Sequence, residues 1–177
     1  SLGNMMIATR HSYTPGKKGA KLAATRIIPL VIEKEKMEEA KNCAGSEPLV
    51  QVLPYKMKTA ALITTGGEVA KGLIKDTFSD VVIEKLKAYG IETVEHCYPG
   101  DDEQLITEKI LEYKAKGVDM ILCTGGMSVD PDDRTPGAIK RSGANIVTYG
   151  APVLPGAMFL LGYFEDQTPV MGLPGCV

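Results

Sequence analysis

Beyond residue 58 the chain alternates between short apolar runs and stripes of apolar residues with helical spacing. Three short segments rich in apolar and β-branched residues, at residues 59–65, 91–97 and 118–124, predict β-strands. Helical spacing between them predicts helices at residues 77–89 and 102–116, and a glycine follows each helix where a helix end favours one. This order of strands and helices predicts parallel pairing through right-handed crossovers.

The elements that follow complete the predicted sheet. Residues 135–142 predict a further helix, residues 145–149 a strand, and residues 158–164 and 168–173 a β-hairpin. Together the elements predict an α/β fold: a three-layer α/β/α domain with a mostly parallel sheet and a C-terminal β-hairpin. The predicted apolar face of the helix at residues 77–89 consists of Phe78, Val81, Val82 and Leu86.

The first 57 residues differ in character from the rest. A strand is predicted at residues 27–32 and a short charged helix at residues 33–41, and two lysines precede the next apolar run. We therefore expect residues 1–57 to be the end of an upstream β-rich domain with its linker, and residues 58–177 to be the α/β domain. Because the sequence stops at Cys176 and Val177 without a helix or a charged tail, we expect that domain to be truncated at its C-terminus.

Charge and cysteine content narrow the classes of function. The chain has 177 residues, and 20 basic against 22 acidic residues give a formal net charge of −2. This balance offers no basic surface for nucleic acid or an anionic membrane. The four cysteines form no Cys-x-x-Cys motif, so we expect neither a zinc cage nor a disulfide framework, and a cytoplasmic location. The longest uncharged run, residues 142–164, contains two prolines and is interpreted as strand and loop.

Two nearly identical loops follow the first and third predicted strands. They are Thr65-Gly66-Gly67 and Thr124-Gly125-Gly126, and a third tight turn is predicted at Leu173-Pro174-Gly175. Glycine amides can approach an anionic ligand closely, and in a parallel sheet ligands bind outside the carboxyl ends of the strands. The loops therefore predict a site for a small phosphorylated ligand.

Carboxylates follow the same strands. Magnesium binds through one or two carboxylates together with phosphate oxygens and water, so acids beside glycine amides could hold a phosphorylated ligand with its cation. Asp76, Asp101 and Asp102 could instead be helix caps. For Asp133 the sequence favours a functional role. A helix start at Thr135 does not require three acids within the four residues before Arg134.

The ordered set of motifs resembles a known family. The motifs are Thr65-Gly66-Gly67-Glu68, Gly72-Leu73-Ile74-Lys75-Asp76-Thr77, Asp101-Asp102-Glu103, Thr124-Gly125-Gly126-Met127-Ser128-Val129, Asp133-Arg134-Thr135-Pro136 and Gly172-Leu173-Pro174-Gly175. Together they resemble the molybdopterin-binding domain shared by molybdopterin molybdotransferases and molybdopterin adenylyltransferases, over about residues 58–177. The first 57 residues resemble the end of the β-rich domain that precedes it in molybdotransferase-like proteins.

The resemblance implies a ligand and a set of site residues. The ligand is molybdopterin or its adenylated form, a pterin phosphate, held with Mg²⁺ at the carboxyl edge. Asp102 and Asp133 match the aspartates implied in catalysis and metal binding, and Glu68 matches a further catalytic acid. The implied cofactor-binding residues are Thr65, Gly66, Gly67, Asp76, Thr124, Gly125, Gly126, Ser128, Thr135, Pro174 and Gly175. The implied activity is Mg²⁺-dependent insertion of molybdenum from molybdate, in a chain that forms homo-oligomers.

One difference from the molybdotransferase pattern bears on that activity. Residues 154–157 read Leu-Pro-Gly-Ala, where the molybdotransferases have lysines beside the Pro-Gly pair. The difference favours pterin binding over molybdenum insertion. Two alternatives stay open: a pyridine-nucleotide or ADP-ribose-processing enzyme similar to the competence-damage-inducible family, and a non-catalytic carrier of the cofactor.

Overall fold

The chain forms two compact units, with the boundary after Pro54. The computed structural model describes residues 5–128, 130 and 132–175, so Val129, Pro131 and Cys176 lie outside the described residues. In the first unit β1 (Met5–Thr9) pairs antiparallel with β2 (Ala23–Ile27), and α1 (Lys34–Ala44) follows. This two-stranded sheet confirms the small β-rich N-terminal segment.

The strand predicted at residues 27–32 was wrong. β2 ends at Ile27, and the next residues form bends with Ile28 and Leu30 exposed. Pro29 has no amide hydrogen to donate to a neighbouring strand, which explains why pairing does not continue through it.

The second unit carries the alternating elements that the apolar pattern predicts and one short helix, at residues 67–70, that it does not predict. Their bounds are β3 (Thr59–Thr64), α2 (Gly67–Ala70), α3 (Phe78–Ala88), β4 (Glu92–Cys97), α4 (Glu103–Ala115), β5 (Met120–Thr124), α5 (Thr135–Arg141), β6 (Asn145–Tyr149), β7 (Leu160–Tyr163) and β8 (Pro169–Leu173). They form one six-stranded sheet in the order β4-β3-β5-β8-β7-β6. β4, β3, β5 and β8 run parallel, and β7 and β6 are antiparallel to their neighbours. The mostly parallel sheet and the β7–β8 hairpin are confirmed.

Successive side chains of β3 point to opposite faces of the sheet, so β3 contributes to a hydrophobic core on each face. Ala61 and Ile63 pack in the core that includes Ile106 and Ile110 of α4. Ala60 and Leu62 point to the opposite core, which includes Val82 of α3 and Leu122 of β5. Helices on both faces of a sheet give the three layers that the sequence predicts.

The apolar face of α3 needs one correction. Phe78, Val82 and Leu86 pack against the core as predicted, but Val81 is exposed and Ile83 packs in its place. At helical spacing the packed stripe centres between Val82 and Leu86, and Val81 falls outside it. Within the described residues, no helix has the length and apolar character needed to cross a membrane.

Candidate functional site

The parallel strands bring the predicted loops to one edge of the sheet. β3 and β5 pair with Thr64 opposite Thr124, and the amide of Thr65 donates to the carbonyl of Thr124 at 2.7 Å. The two Thr-Gly-Gly motifs are therefore neighbours, offset by one residue. Thr65 of the first motif lies beside Gly125 of the second.

This offset explains the glycines of the second loop. Gly125 has a φ of +82°, and a Cβ atom there would lie 2.5 Å from the carbonyl oxygen of Thr65. Gly126 has a φ of +53°, and a Cβ atom there would lie 2.9 Å from Oγ1 of Thr135. Both the backbone angles and the close packing require glycine at these two positions.

Buried hydroxyl groups tie the second loop to the first. Oγ1 of Thr65 donates to the carbonyl of Thr124 at 3.1 Å and lies 3.1 Å from Oγ1 of Thr135. Oγ1 of Thr135 donates to the carbonyl of Gly125 at 2.9 Å. All three threonines are at least 95% buried, so these hydroxyls support the loops from inside the protein. The structure thus brings together Thr65, Thr124, Gly125 and Thr135.

The loop after β4 joins the same edge through Asp101. The amide of Gly67 donates to Oδ2 of Asp101 at 2.6 Å, and the amide of Gly66 donates to the carbonyl of Gly100 at 3.4 Å. Sequence reasoning selected Asp102 and missed this role of Asp101. Two adjacent acids after one strand carry no signal that distinguishes them.

Asp102 caps helix α4. Its Oδ1 accepts the amide hydrogens of Gln104 at 2.9 Å and Leu105 at 3.1 Å, which confirms the capping alternative. Both bonds use the same oxygen, so the other carboxylate oxygen lies outside the cap. Its implied catalytic and metal-binding roles stay predictions.

The carboxylate of Asp133 is partly buried, whereas that of the neighbouring Asp132 is exposed. Its amide donates to the carbonyl of Asp130 at 3.0 Å, and its Oδ2 is buried without a hydrogen-bond partner among the described residues. Arg134 lies 4.0 Å from the exposed carboxylate of Asp132. A buried carboxylate oxygen without a donor is costly, and a bound cation would relieve that cost.

Asp76 and Glu68 differ in exposure and in the hydrogen bonds they accept. Oδ1 of Asp76 accepts the amide hydrogens of Phe78 and Ser79, both at 3.0 Å, and so caps α3. Burial disfavours its ionised form, but hydrogen bonds from Ser79 and Phe78 outweigh burial and lower its pKa. Glu68 is exposed on the short helix α2.

The remaining predicted residues lie at the rim of the edge. Ser128 and Gly175 are exposed, and Cγ of Pro174 lies 3.9 Å from the position of a Cβ atom on Gly156. Between them, Met127 is buried, and its thioether fills the space above Gly172: a Cβ atom there would lie 2.5 Å from the Met127 sulfur.

A metal ion held by protein side chains alone does not fit this edge. In the described part of the chain, no three His, Cys, Asp or Glu side chains are grouped closely enough to hold one. Asp102 has one carboxylate oxygen outside its helix cap, and Asp76 and Asp133 each have a buried Oδ2 without a hydrogen-bond partner among the described residues. Magnesium that takes most of its ligands from phosphate and water needs only one or two such carboxylates.

The sequence of the edge matches a known family. Residues 61–177 match the family described as a probable molybdopterin binding domain. The chain belongs to this family. The match includes all four strand ends that form the edge, so the family sequence and the site coincide.

Curated relatives with two different names match the chain over different lengths. A CinA-like protein of Desulfosudis oleivorans is 37% identical over 83 residues, which are 47% of this chain and 20% of that protein. A molybdopterin molybdenumtransferase of Synechococcus elongatus is 26% identical over 170 residues, which are 90% of this chain and 40% of that protein. The chain thus spans between a fifth and two fifths of these relatives.

Solved structures share the fold at low identity. The protein CinA of Thermoplasma acidophilum superimposes with a TM-score of 0.58 at 18% identity, covering 67% of this chain and 89% of that chain. The tungsten cofactor synthesizing protein MoaB of Pyrococcus furiosus gives a TM-score of 0.57 at 23% identity, covering 68% and 84%. At such identities the likeness establishes the three-layer fold of the family domain.

Proposed function

We propose that this domain binds molybdopterin or its adenylated form at the carboxyl edge of its sheet. The observation that carries the proposal is the junction of three loops, where Gly67 contacts Asp101 and Thr65 packs on Gly125. Backbone amides of such glycine loops suit a phosphate group. Membership of the molybdopterin-binding family supports a pterin phosphate as the ligand.

Asp102 and Asp133 are the residues proposed to hold Mg²⁺. Asp102 has one carboxylate oxygen outside its helix cap, and Asp133 has a buried oxygen without a partner among the described residues. Bound Mg²⁺ would neutralise phosphate charge beside these acids. The amides of Thr65, Gly66 and Gly67 donate within the protein, so the amides of the second loop are the ones proposed to orient the phosphate, and the buried threonines fix both loops.

A thermal-shift comparison tests the ligand. The purified chain is heated with molybdopterin, adenylated molybdopterin, ADP-ribose or NAD, each with and without Mg²⁺. A ligand that binds only the folded state adds about 2.7 kcal/mol at 100 times its Kd. We expect a higher midpoint with the two pterins and no shift with the two nucleotides. The reverse order would contradict the proposal.

The variant Asp133→Asn tests the metal site. Asparagine keeps the size of the side chain but removes its charge, so we expect the fold to persist and Mg²⁺-dependent pterin binding to be lost. Asp132→Asn is the matched control, because the Asp132 side chain is 98% exposed next to the same loop. Normal binding by Asp133→Asn would reduce Asp133 to a helix-start residue.

A second candidate function is processing of a pyridine nucleotide or ADP-ribose. The 37% identity to a CinA-like protein over 83 residues supports it. The nucleotide arms of the thermal-shift comparison decide between the two ligands.

Transfer and carrying of the cofactor are distinguished by turnover. A molybdotransferase would convert bound ligand when molybdate is added, whereas a carrier would be stabilised by the ligand without turnover. The apolar Leu154 and Ala157 beside Pro155-Gly156 favour the carrier outcome for the isolated chain. Self-association and cytoplasmic location stay predictions, which size-exclusion chromatography and cell fractionation test.

A further inference from the structure

A buried polar cluster lies behind the first Thr-Gly-Gly loop, and sequence reasoning gave it no role. Its centre is the hydroxyl of Thr64, the last residue of β3. Oγ1 of Thr64 lies 2.7 Å from Oγ of Ser79 and 2.9 Å from Nε2 of His96. Thr64 and Ser79 are buried, and His96 is partly buried on β4. The cluster therefore joins two strands and the start of α3.

The cluster continues into β5. Oγ1 of Thr124 donates to Oγ1 of Thr64 at 3.2 Å, and Thr124 is 1% exposed. Thr64 has a single hydroxyl proton, so after accepting from Thr124 it donates to Ser79 or to His96. Nε2 of His96 accepts that proton when the imidazole is neutral with its proton on Nδ1.

Strand pairing does not fix Thr64 on the side of β4. The β3–β4 pairing ends with Ile63 opposite Cys97, whereas Thr64 still pairs with Thr124 of β5. Thr64 thus lies one residue beyond the described register with β4. On the side of β4, side-chain contacts fix the position of Thr64. They are the contact with the Ser79 hydroxyl of α3 at 2.7 Å and the contact with Nε2 of His96 on β4 at 2.9 Å.

Charged and aromatic neighbours hold the imidazole. The His96 ring lies 4.5 Å from the ring of Tyr98, centroid to centroid, at an angle of 41°. The carboxylates of Asp76, which caps α3, and of Asp80 on α3 act on it as nearby negative charges. Burial lowers the pKa of His96, against the opposite influence of these two carboxylates. The ring is therefore held between α3 and the end of β4 in a form that can accept a hydrogen bond.

We propose that His96 is a positioning residue for the ligand site. Through Nε2 it fixes the hydroxyl of Thr64, and so the point where β3 ends and Thr65-Gly66-Gly67 begins. This inference rests on the proposed function, since that loop packs on Gly125 and contacts Asp101 at the junction assigned to the ligand. His96 does not touch the ligand in this assignment, and it acts through Thr64.

Two variants of His96 separate the Nε2 contact from the rest of the ring. A glutamine side chain places a polar atom near the position of Nε2, whereas an asparagine side chain reaches only to the position of Nδ1. His96→Gln therefore keeps a partner for Thr64, and His96→Asn removes it. His11→Asn is the matched control, because His11 is exposed in the first unit.

The test has two readouts on the 177-residue chain. Amide hydrogen exchange of Thr65, Gly66 and Gly67 is measured without ligand, and molybdopterin affinity is measured by titration with Mg²⁺. We expect His96→Asn to speed exchange and weaken binding by about tenfold each, the scale of one lost hydrogen bond. We expect His96→Gln to stay within about threefold of the unchanged protein, and His11→Asn to match it.

Three results would contradict either the role of His96 or the proposed ligand binding. Native exchange and affinity in His96→Asn would overturn the role of His96. Equal losses in His96→Asn and His96→Gln would also overturn it, because packing on Tyr98 would then carry the effect. If the unchanged protein does not bind molybdopterin, the proposed function fails, and the exchange rates still decide whether His96 positions the loop.

Discussion

The two Thr-Gly-Gly loops share their sequence but not their structural constraints. Gly125 of the second loop meets the Thr65 backbone so closely that a Cβ atom would lie 2.5 Å from its carbonyl oxygen. Gly66 of the first loop has a φ of +124°, but the nearest atom to a Cβ there is Cγ2 of Val69 at 3.8 Å, an ordinary contact. The second loop is enclosed by its neighbours, and the first is constrained at Gly66 only by its backbone angle.

The register of the sheet produces this difference. Because Thr64 pairs with Thr124, Thr65 extends past the strand end and covers Gly125. Two copies of one motif therefore need glycine for different reasons. The position of a motif relative to its neighbouring strand decides how a substitution in it acts.

The largest expected effect separates Gly125→Ala from Gly66→Ala. A positive φ costs a residue with a Cβ atom about 1–3 kcal/mol at either site. Gly125→Ala adds a clash with backbone that costs about 1–3 kcal/mol more. We expect urea denaturation to show a loss of about 3 kcal/mol or more for Gly125→Ala and a smaller loss, about 1–3 kcal/mol, for Gly66→Ala.

Gly143→Ala is the matched control for this comparison. Gly143 has a φ of +85°, close to that of Gly125, and among the described residues no heavy atom beyond its chain neighbours lies within 4 Å of its Cβ position. It therefore measures the backbone cost alone. If Gly125→Ala were no more destabilising than Gly143→Ala, the enclosed character of the second loop would be wrong.

The next effect concerns the hydroxyl that closes the second loop. Thr135→Val removes the donor to the carbonyl of Gly125 and the partner of Thr65, in a site with no solvent exposure. A buried carbonyl that loses its donor costs about 1–3 kcal/mol, so we expect a loss of about 2 kcal/mol in the free energy of unfolding.

Thr148→Val is the control for the hydroxyl. The Thr148 hydroxyl also donates to a carbonyl, that of Gly150, but at an exposed site. Water can replace it there, so we expect a change within about 0.5 kcal/mol. Equal losses in the two variants would show that burial around Thr135 does not matter.

The smallest effect concerns pH and the first loop. The hydroxyls around the second loop do not titrate, whereas the cluster behind the first loop ends at Ser79 and Asp76. The pKa of Asp76 is lowered from its ordinary value of 3.8, against the influence of burial, by hydrogen bonds from Ser79 and Phe78. Its stabilising contribution is therefore present above pH 3.8 and is lost as the pH falls through the folded-state pKa.

Denaturation of the unchanged protein and of Asp76→Asn at several pH values measures this contribution. We expect Asp76→Asn to be less stable at pH 7, and the gap between the two proteins to narrow below about pH 4. A gap that stays constant with pH would show that ionised Asp76 does not support the first loop.

Much of the fold was predictable because apolar spacing records burial directly. Helix α4 was predicted at residues 102–116 and runs from Glu103 to Ala115, with Ile106 and Ile110 fully buried. The strand predicted through Pro29 failed, since hydrophobicity alone favoured pairing that proline prevents. β1 was not predicted, because its apolar residues are mostly exposed and follow no strong alternation.

The site was predictable in location and less so in detail. Strand ends and glycines identified the edge, because parallel strands fix where their loops meet. The one-residue offset between Thr65 and Gly125 depends on strand register, which two similar motifs cannot reveal. The choice between Asp101 and Asp102, and the contact of His96 with Thr64, depend on side-chain direction after the strand ends.

The packing of Met127 over Gly172 constrains the order in which two substitutions could be accepted. Gly172→Ala alone would force the Met127 thioether out of a buried space. A valine at position 127 is shorter and would leave room for the added methyl group. Alanine at position 172 should thus be tolerated better after residue 127 is shortened, so the two positions form an epistatic pair.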